Sequence, residues 1–107
     1  MQWWADGGLH KICVTNDDGQ VFIENVDGTN NENEFRAMIL ALTKVSDGDI
    51  IFADSQLVVN ELIKNWKCRK AHLMPLYCQA KKILSGKKVE IEWVSRNDNR
   101  AGWILEG

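Results

Sequence analysis

The sequence predicts a mixed α/β fold, and three features point to it. Two β-type runs, Ile12-Cys13-Val14 and Val21-Phe22-Ile23, flank the turn-forming segment Asn16-Asp17-Asp18-Gly19, the pattern of a hairpin. Three later stretches place apolar residues at helical spacing. Between the first two of these, Ile50-Ile51-Phe52-Ala53 is apolar without alternation, as expected of a central strand covered on both faces.

Taken in order, the chain begins with a short strand from Gln2 to Ala5, ending at Asp6 and the flexible pair Gly7-Gly8. The hairpin follows. Asp27-Gly28-Thr29-Asn30-Asn31 is a loop that offers several helix N-caps. Phe35, Met38, Ile39 and Leu42 then form an i, i+3, i+4, i+7 stripe, so a helix runs from there until Ser46-Asp47-Gly48 ends it. The central strand stops at Asp54. Val59, Leu62, Ile63 and Trp66 make a second helical stripe. Leu73, Leu76, Tyr77 and Ala80 make a third, with Pro75 near its start and Ser85-Gly86 at its end. Val89, Ile91 and Trp93 alternate with Glu90 and Glu92, which marks a half-exposed strand. A loop of Ser95 to Asn99 leads into a last short helix, giving the order βββαβααβα. Trp66 and Trp93 fall on apolar stripes and are expected in the core. Trp3 and Trp4 point opposite ways along a strand, so the main core needs at most one of them.

The 107 residues, 45% hydrophobic and 26% charged, suit one hydrophobic core, and a single domain over residues 1–107 is expected. No apolar run approaches the ~18 residues of a membrane span, and Met1 to Asp6 lack the basic start and apolar stretch of a secretory signal. Cys13, Cys68 and Cys78 are odd in number and form no C-x-x-C pair, so a reduced, cytoplasmic setting is expected. The formal charge of −2 means that any polyanion must be gripped locally. The candidate patch runs from Lys64 through Lys67, Arg69 and Lys70 to Lys81-Lys82 and Lys87-Lys88, residues that serve equally well as a solvated helix surface.

Asp6 and Asp54 stand at the C-terminal ends of two predicted strands, the edge where open α/β sheets bind ligands. Glu34 lies in the first turn of the helix between them, one residue before its buried stripe. Each has an ordinary reading: turn or cap residues for the two aspartates, a helix-favouring acid for Glu34. Brought together, three carboxylates repel one another and hold raised pKa values unless cations neutralise them. Mg²⁺ or Mn²⁺ suits such an oxygen cluster, and two ions roughly 3.5–4 Å apart perform phosphodiester cleavage.

The segments around these acids resemble type 1 ribonuclease H, in particular its compact branch. Thr29-Asn30-Asn31-Glu32-Asn33-Glu34, with Ala37 and Ala41-Leu42, looks like that family's T-N-N-x-x-E helix start. Phe52-Ala53-Asp54-Ser55-Gln56 and the helix toward Trp66 resemble its D-S-Q segment, and Trp4-Ala5-Asp6-Gly7 resembles its first-strand T-D-G element. Glu92 to Ala101 is similar to the closing W-V-P-R-x-x-N-x-x-A-D. The elements occur in the family's order over nearly the whole chain. The resemblance implies a ribonuclease H-like, five-stranded mixed sheet in the order 3-2-1-4-5 with helices on both faces. It implies metal-dependent endonucleolytic cleavage of the RNA strand of RNA–DNA hybrids, leaving a 3′-hydroxyl. Asp6 would bridge two Mg²⁺ (or Mn²⁺) ions, with Glu34 and Asp54 completing one of them. Asn30, Asn31 and Gln56 match amides that touch the hybrid minor groove, and Thr29 matches a contact to DNA phosphate. Capping of the helix by Asn30 and Asn31 is compatible with that role. No membrane and no obligate protein partner is implied.

The chain departs from the family at position 102, where Gly102 replaces the expected fourth carboxylate. The alternative function is therefore a catalytically weakened or inactive nucleic-acid-binding module of the same fold. Asp98 and Glu106, four positions to either side of Gly102, are candidate substitutes if a helix spans this stretch. The family's glycine-rich turn and basic handle are not evident, so affinity for hybrid is expected to be modest and salt-sensitive. Its loop histidine is also missing; Arg96 sits near that place and is a candidate phosphate contact. His10 is expected in solvent. Cys68 and His72 share C-x₃-H spacing but lack the second pair that a zinc site needs.

Overall fold

Alternation along the first strand sets up the two faces of the molecule. In the computed structural model, which describes residues 1–107, strand β1 (Gln2–Gly7) sends Trp3 and Ala5 into the main core and Trp4 to the opposite face. β2 (Lys11–Asn16) and β3 (Val21–Asn25) extend the sheet antiparallel on one side, while β4 (Ile50–Ala53) and β5 (Glu90–Trp93) extend it parallel on the other. The spatial order is β3-β2-β1-β4-β5, as the resemblance implied. Ala5 lies opposite Ala53 in the β1–β4 register, so Asp6 and Asp54 leave neighbouring strands at the same edge.

Helix α1 (Asn30–Lys44) starts at a reciprocal capping box. Thr29 Oγ1 accepts from Glu32 N–H at 3.2 Å, and Glu32 Oε1 accepts from Thr29 N–H at 2.8 Å. Asn30 and Asn31 therefore occupy the first turn and do not cap it. Helix α2 (Gln56–Ile63) is capped by Ser55, and α3 (Met74–Ser85) carries Pro75 in its first turn. These three helices pack on one face of the sheet, around a core of 20 buried residues that includes Phe35, Met38, Leu42, Val58, Leu62 and Leu73. A single 3₁₀ turn (Arg96–Asp98) leads to α4 (Arg100–Glu106), which alone covers the other face, over Trp4 and Cys13. No helix is long and apolar enough to cross a membrane.

Two tryptophans correct the sequence reading. Trp66 is 53% exposed, because α2 ends at Ile63 and Asn65 turns the chain out of the helix at a φ of 55°. Trp93 is 47% exposed, since it ends the edge strand β5; its indole N–H donates to the Asp54 carbonyl at 3.1 Å. Trp3 and Trp4 are both buried, but only Trp3 belongs to the main core. β1 also runs two residues further than the sequence suggests, so Asp6 lies within the strand.

Candidate metal centre

Three chain segments deliver one carboxylate each to the same edge of the sheet. Asp6 comes from β1 and, by alternation, faces the α4 side along with Trp4; Asp54 follows β4; Glu34 comes from the second turn of α1. One oxygen from each lies within 4.8 Å of the others. Glu34 Oε1 accepts from the Gly7 backbone N–H at 3.2 Å, which ties the helix to the strand. Gly7 is required there: a Cβ would run into the backbone carbonyl of Asn33 and come within 2.6 Å of Glu34 N. The acids line a cleft of about 350 Å³ that they share with Asn30, Arg96 and Glu106.

None of the three acids is in an ion pair. Burial, followed by the charges of Asp6 and Asp54, pushes the Glu34 carboxyl up to about 9. Burial and then Asp54 push Asp6 up to about 6. Asp54 is raised by burial too, although the Asn99 amide and Arg96 hold it back. A partly buried, oxygen-only set of like charges that forms no ion pair matches the donor chemistry of a hard divalent cation.

A family model described as reverse transcriptase-like matches residues 5–105. The N-terminal ribonuclease H domain of Rv2228c from Mycobacterium tuberculosis, solved as a fusion with maltose-binding protein, superposes with a TM-score of 0.77 at 27% identity, over 92% of this chain and 84% of that one. Ribonuclease H1 from the archaeon Halobacterium salinarum superposes at 0.78 and 25% identity, over 97% of this chain and 92% of that one. This chain is a member of the type 1 ribonuclease H family. In sequence, the bifunctional protein Rv2228c is 33% identical over 101 residues, covering 86% of this chain. The chain spans 28% of the length of that curated relative. LC11-RNase H1, solved in complex with an RNA/DNA hybrid, shares the fold at a TM-score of 0.76 and 18% identity, over 92% of this chain and 88% of that one.

In this ribonuclease H domain the other candidates separate by position. Asn30 lines the cleft, whereas Thr29 and Gln56 stand exposed at the N-termini of α1 and α2 and Asn31 is half-buried in α1. Arg96 also lines the cleft and grips Glu106 Oε1 through Nη2 and Nε at 3.1 and 3.3 Å. Of the two acids considered as substitutes near Gly102, Glu106 is at the cleft; Asp98 is turned away and accepts from Ser95 Oγ at 3.0 Å. α4 starts at Arg100, directly after its cap Asn99, and turns Ala101 onto Trp4 and Cys13. Ala101 is thus buried on the sheet, and a Cβ at Gly102 would lie 3.4 Å from Asp6 Oδ2.

Two buried asparagines do work that sequence reading did not assign. Asn33 donates to the Gly8 and Leu9 carbonyls at 2.7 and 3.1 Å, buckling the β1–β2 turn onto α1. Asn99 caps α4 by accepting from Ala101 N–H at 3.1 Å, and its amide donates to the Ala5 carbonyl at 2.9 Å and to Asp54 Oδ2 at 3.3 Å. The available signal was an N-cap residue type just before the last helix. Asn99→Ala is expected to cost about 2 kcal/mol, from the lost cap and an unpartnered carbonyl, read as a lower urea midpoint at constant m. An unchanged midpoint would remove Asn99 as the latch between Asp54 and α4.

Proposed function

We propose that this domain hydrolyses the RNA strand of RNA–DNA hybrids endonucleolytically, with Asp6, Glu34 and Asp54 as its catalytic, cation-holding residues. The observation that carries the reading is the convergence of those three carboxylates, within 4.8 Å, at the sheet edge where ligands of α/β folds bind. Mg²⁺ or Mn²⁺, two ions when substrate is present, would supply Lewis-acid stabilisation of the phosphate and activation of the attacking water. Asp6, Glu34 and Asp54 would hold the cations, Asp6 being the residue that the family resemblance assigns to both. Glu34 is held by the Gly7 N–H and Asp54 by Asn99, so neither needs to reorganise before binding.

The same reading gives Arg96 a phosphate to bind in exchange for Glu106, and leaves Glu106 free to turn toward the cations. Asn30, Asn31 and Gln56 would touch the minor groove, where their amides suit the 2′-hydroxyls, and Thr29 a DNA phosphate. The complex of LC11-RNase H1 with an RNA/DNA hybrid supports the choice of substrate. Three free cysteines, two of them buried, suit a reducing, cytoplasmic compartment. The test is Mg²⁺- or Mn²⁺-dependent cleavage of an end-labelled hybrid by the purified chain, compared with RNA and DNA duplexes. Equal cutting of all three would reject hybrid specificity.

A second reading, a weakened enzyme of the same class, is favoured by one observation. The direction of a side chain at position 102 is aimed at Asp6, and glycine places no carboxylate there. The 3.4 Å approach is ordinary contact, so a Cβ is accommodated at position 102. Gly102→Asp is expected to raise hybrid cleavage by at least about tenfold, the scale of a change in a metal's ligand shell. Unchanged activity would show that Glu106, or nothing, is needed at that place.

A further inference from the structure

Glu61 sits on the inner face of α2 with 3% of its surface exposed. Its Oε1 is the one buried side-chain oxygen or nitrogen in the protein that has no hydrogen-bond partner. An unmet buried acceptor costs about 1–3 kcal/mol, so a donor arriving from outside gains what the fold leaves unmade. Glu61 forms no ion pair, although Lys67, Arg69 and Lys70 stand nearby. The Cys68 thiol donates to the Lys70 carbonyl at 3.9 Å and leaves Oε1 unmet.

Glu61 belongs to the wall of a pocket of about 430 Å³ between α2 and the start of α3. Leu57 and Leu73 give it apolar sides, and the half-exposed Trp66 indole gives it a flat one. Lys67, Arg69 and Lys70 surround it with three positive charges. A simple cation would satisfy Glu61 but is repelled by those charges; a simple anion suits the basic residues but is repelled by the carboxyl. The occupant must carry a hydrogen-bond donor at one end of a flat apolar body and negative charge at the other.

We infer that this pocket binds a nucleotide whose base bears an exocyclic amino group, the amine donating to Glu61, the ring stacking on Trp66 and the phosphate meeting Lys67, Arg69 and Lys70. Cytosine, adenine and guanine offer that amine. Uracil and thymine place a single N–H between two carbonyl oxygens, which a carboxyl repels. The selectivity is of the kind seen when a buried polar group is left unpaired by the wrong ligand. Glu61 follows Asp54 by seven positions, roughly 10 Å along α2. A strand passing the carboxylate cleft could thus seat an unpaired nucleotide here, and a free nucleotide presents the same chemistry.

The decisive pair is CMP against UMP, which differ only at C4 and N3 of the ring, titrated calorimetrically into the full chain with EDTA present. CMP is expected to bind at least about tenfold more tightly, the worth of giving a buried, unmet acceptor its donor. Glu61→Gln, whose amide both donates and accepts, should erase the difference, and Trp66→Ala should weaken both ligands alike. Equal affinities in the parent chain overturn the inference; so does inorganic phosphate binding as tightly as CMP. A second arm compares blunt hybrids with hybrids carrying a single-stranded cytidine or uridine overhang, in Ca²⁺. A cytidine preference lost in Glu61→Gln assigns the pocket to the strand, whereas one confined to mononucleotides assigns it to free nucleotide. The inference extends the proposed hydrolysis without requiring it: Asp6→Asn, 55 positions away in sequence, should leave the CMP isotherm unchanged even if no hybrid is ever cut.

Discussion

Asp6→Asn should abolish hybrid cleavage, by at least about 10³-fold, and at the same time make the metal-free protein more stable. The first effect follows from removing the carboxylate that two cations would share, which is worth several kcal/mol in the transition state. The second follows from electrostatics. Glu34, at about 9 against an ordinary 4.5, is held up by burial and then by the charges of Asp6 and Asp54. Its folded form keeps a proton that the unfolded chain has already released, so its contribution to stability is complete below about 4.5 and is lost as pH rises toward about 9. Asp6, raised to about 6, adds to that loss at the acidic end of the window. Neutralising Asp6 removes one source of strain and lets Glu34 ionise more easily. In EDTA at pH 8 the variant is expected to melt at least about 4 °C higher, the scale of 1 kcal/mol in a domain of this size. Added Mg²⁺ should stabilise the parent chain and leave the variant largely indifferent. A variant that cuts hybrid as fast as its parent would expose a contaminating nuclease, and an unchanged melting temperature would mean that the acids do not strain the fold.

Gly7→Ala should be nearly as damaging for a different reason. The added methyl meets backbone, the Asn33 carbonyl and Glu34 N, and neither can swing aside as a side chain would. Helix α1 must back away from β1, which breaks the Gly7–Glu34 hydrogen bond and moves Glu34 off the cluster. A loss of about 3 kcal/mol is expected from the urea midpoint, at the upper end of ordinary overpacking, together with cleavage below detection. Gly8→Ala is the control. Its Cβ would meet only the Lys11 carbonyl at 3.3 Å and Leu105 at 3.9 Å, so a cost under about 1 kcal/mol is expected. If the two substitutions cost the same, close packing at Gly7 is not what fixes Glu34.

Much of this architecture is legible before folding. The hairpin turn at Asn16 to Gly19, the non-alternating run 50–53 and the stripe beginning at Phe35 each obey one local rule, and each element forms where that rule puts it. The tryptophans show where local rules stop. Trp66 lies on the extrapolated stripe of α2, but Asn65 ends the periodicity that the stripe assumes. Trp93 alternates correctly with Ile91, yet burial also needs a covering element, and none lies over that end of the edge strand. The candidate site was readable only with family resemblance, because no spacing rule brings residues 6, 34 and 54 together. The β1–β4 register does so, and register is a long-range property of the sheet. Asn33 and Asn99 escaped notice for a related reason: their partners are carbonyls more than twenty positions away, which no local pattern announces.

The uneven covering of the sheet has a mechanical consequence. The jaw of the cleft that carries Glu34 is rooted in a core of 20 residues, whereas the jaw formed by Arg96, Leu105 and Glu106 rests on α4, anchored by the small cluster of Trp4, Cys13 and Ala101. Local opening takes the cheapest route, so amide exchange should begin in α4 while α1 stays protected. One side of the cleft is an anvil and the other yields, and a thick double-stranded ligand would be admitted by the side that gives.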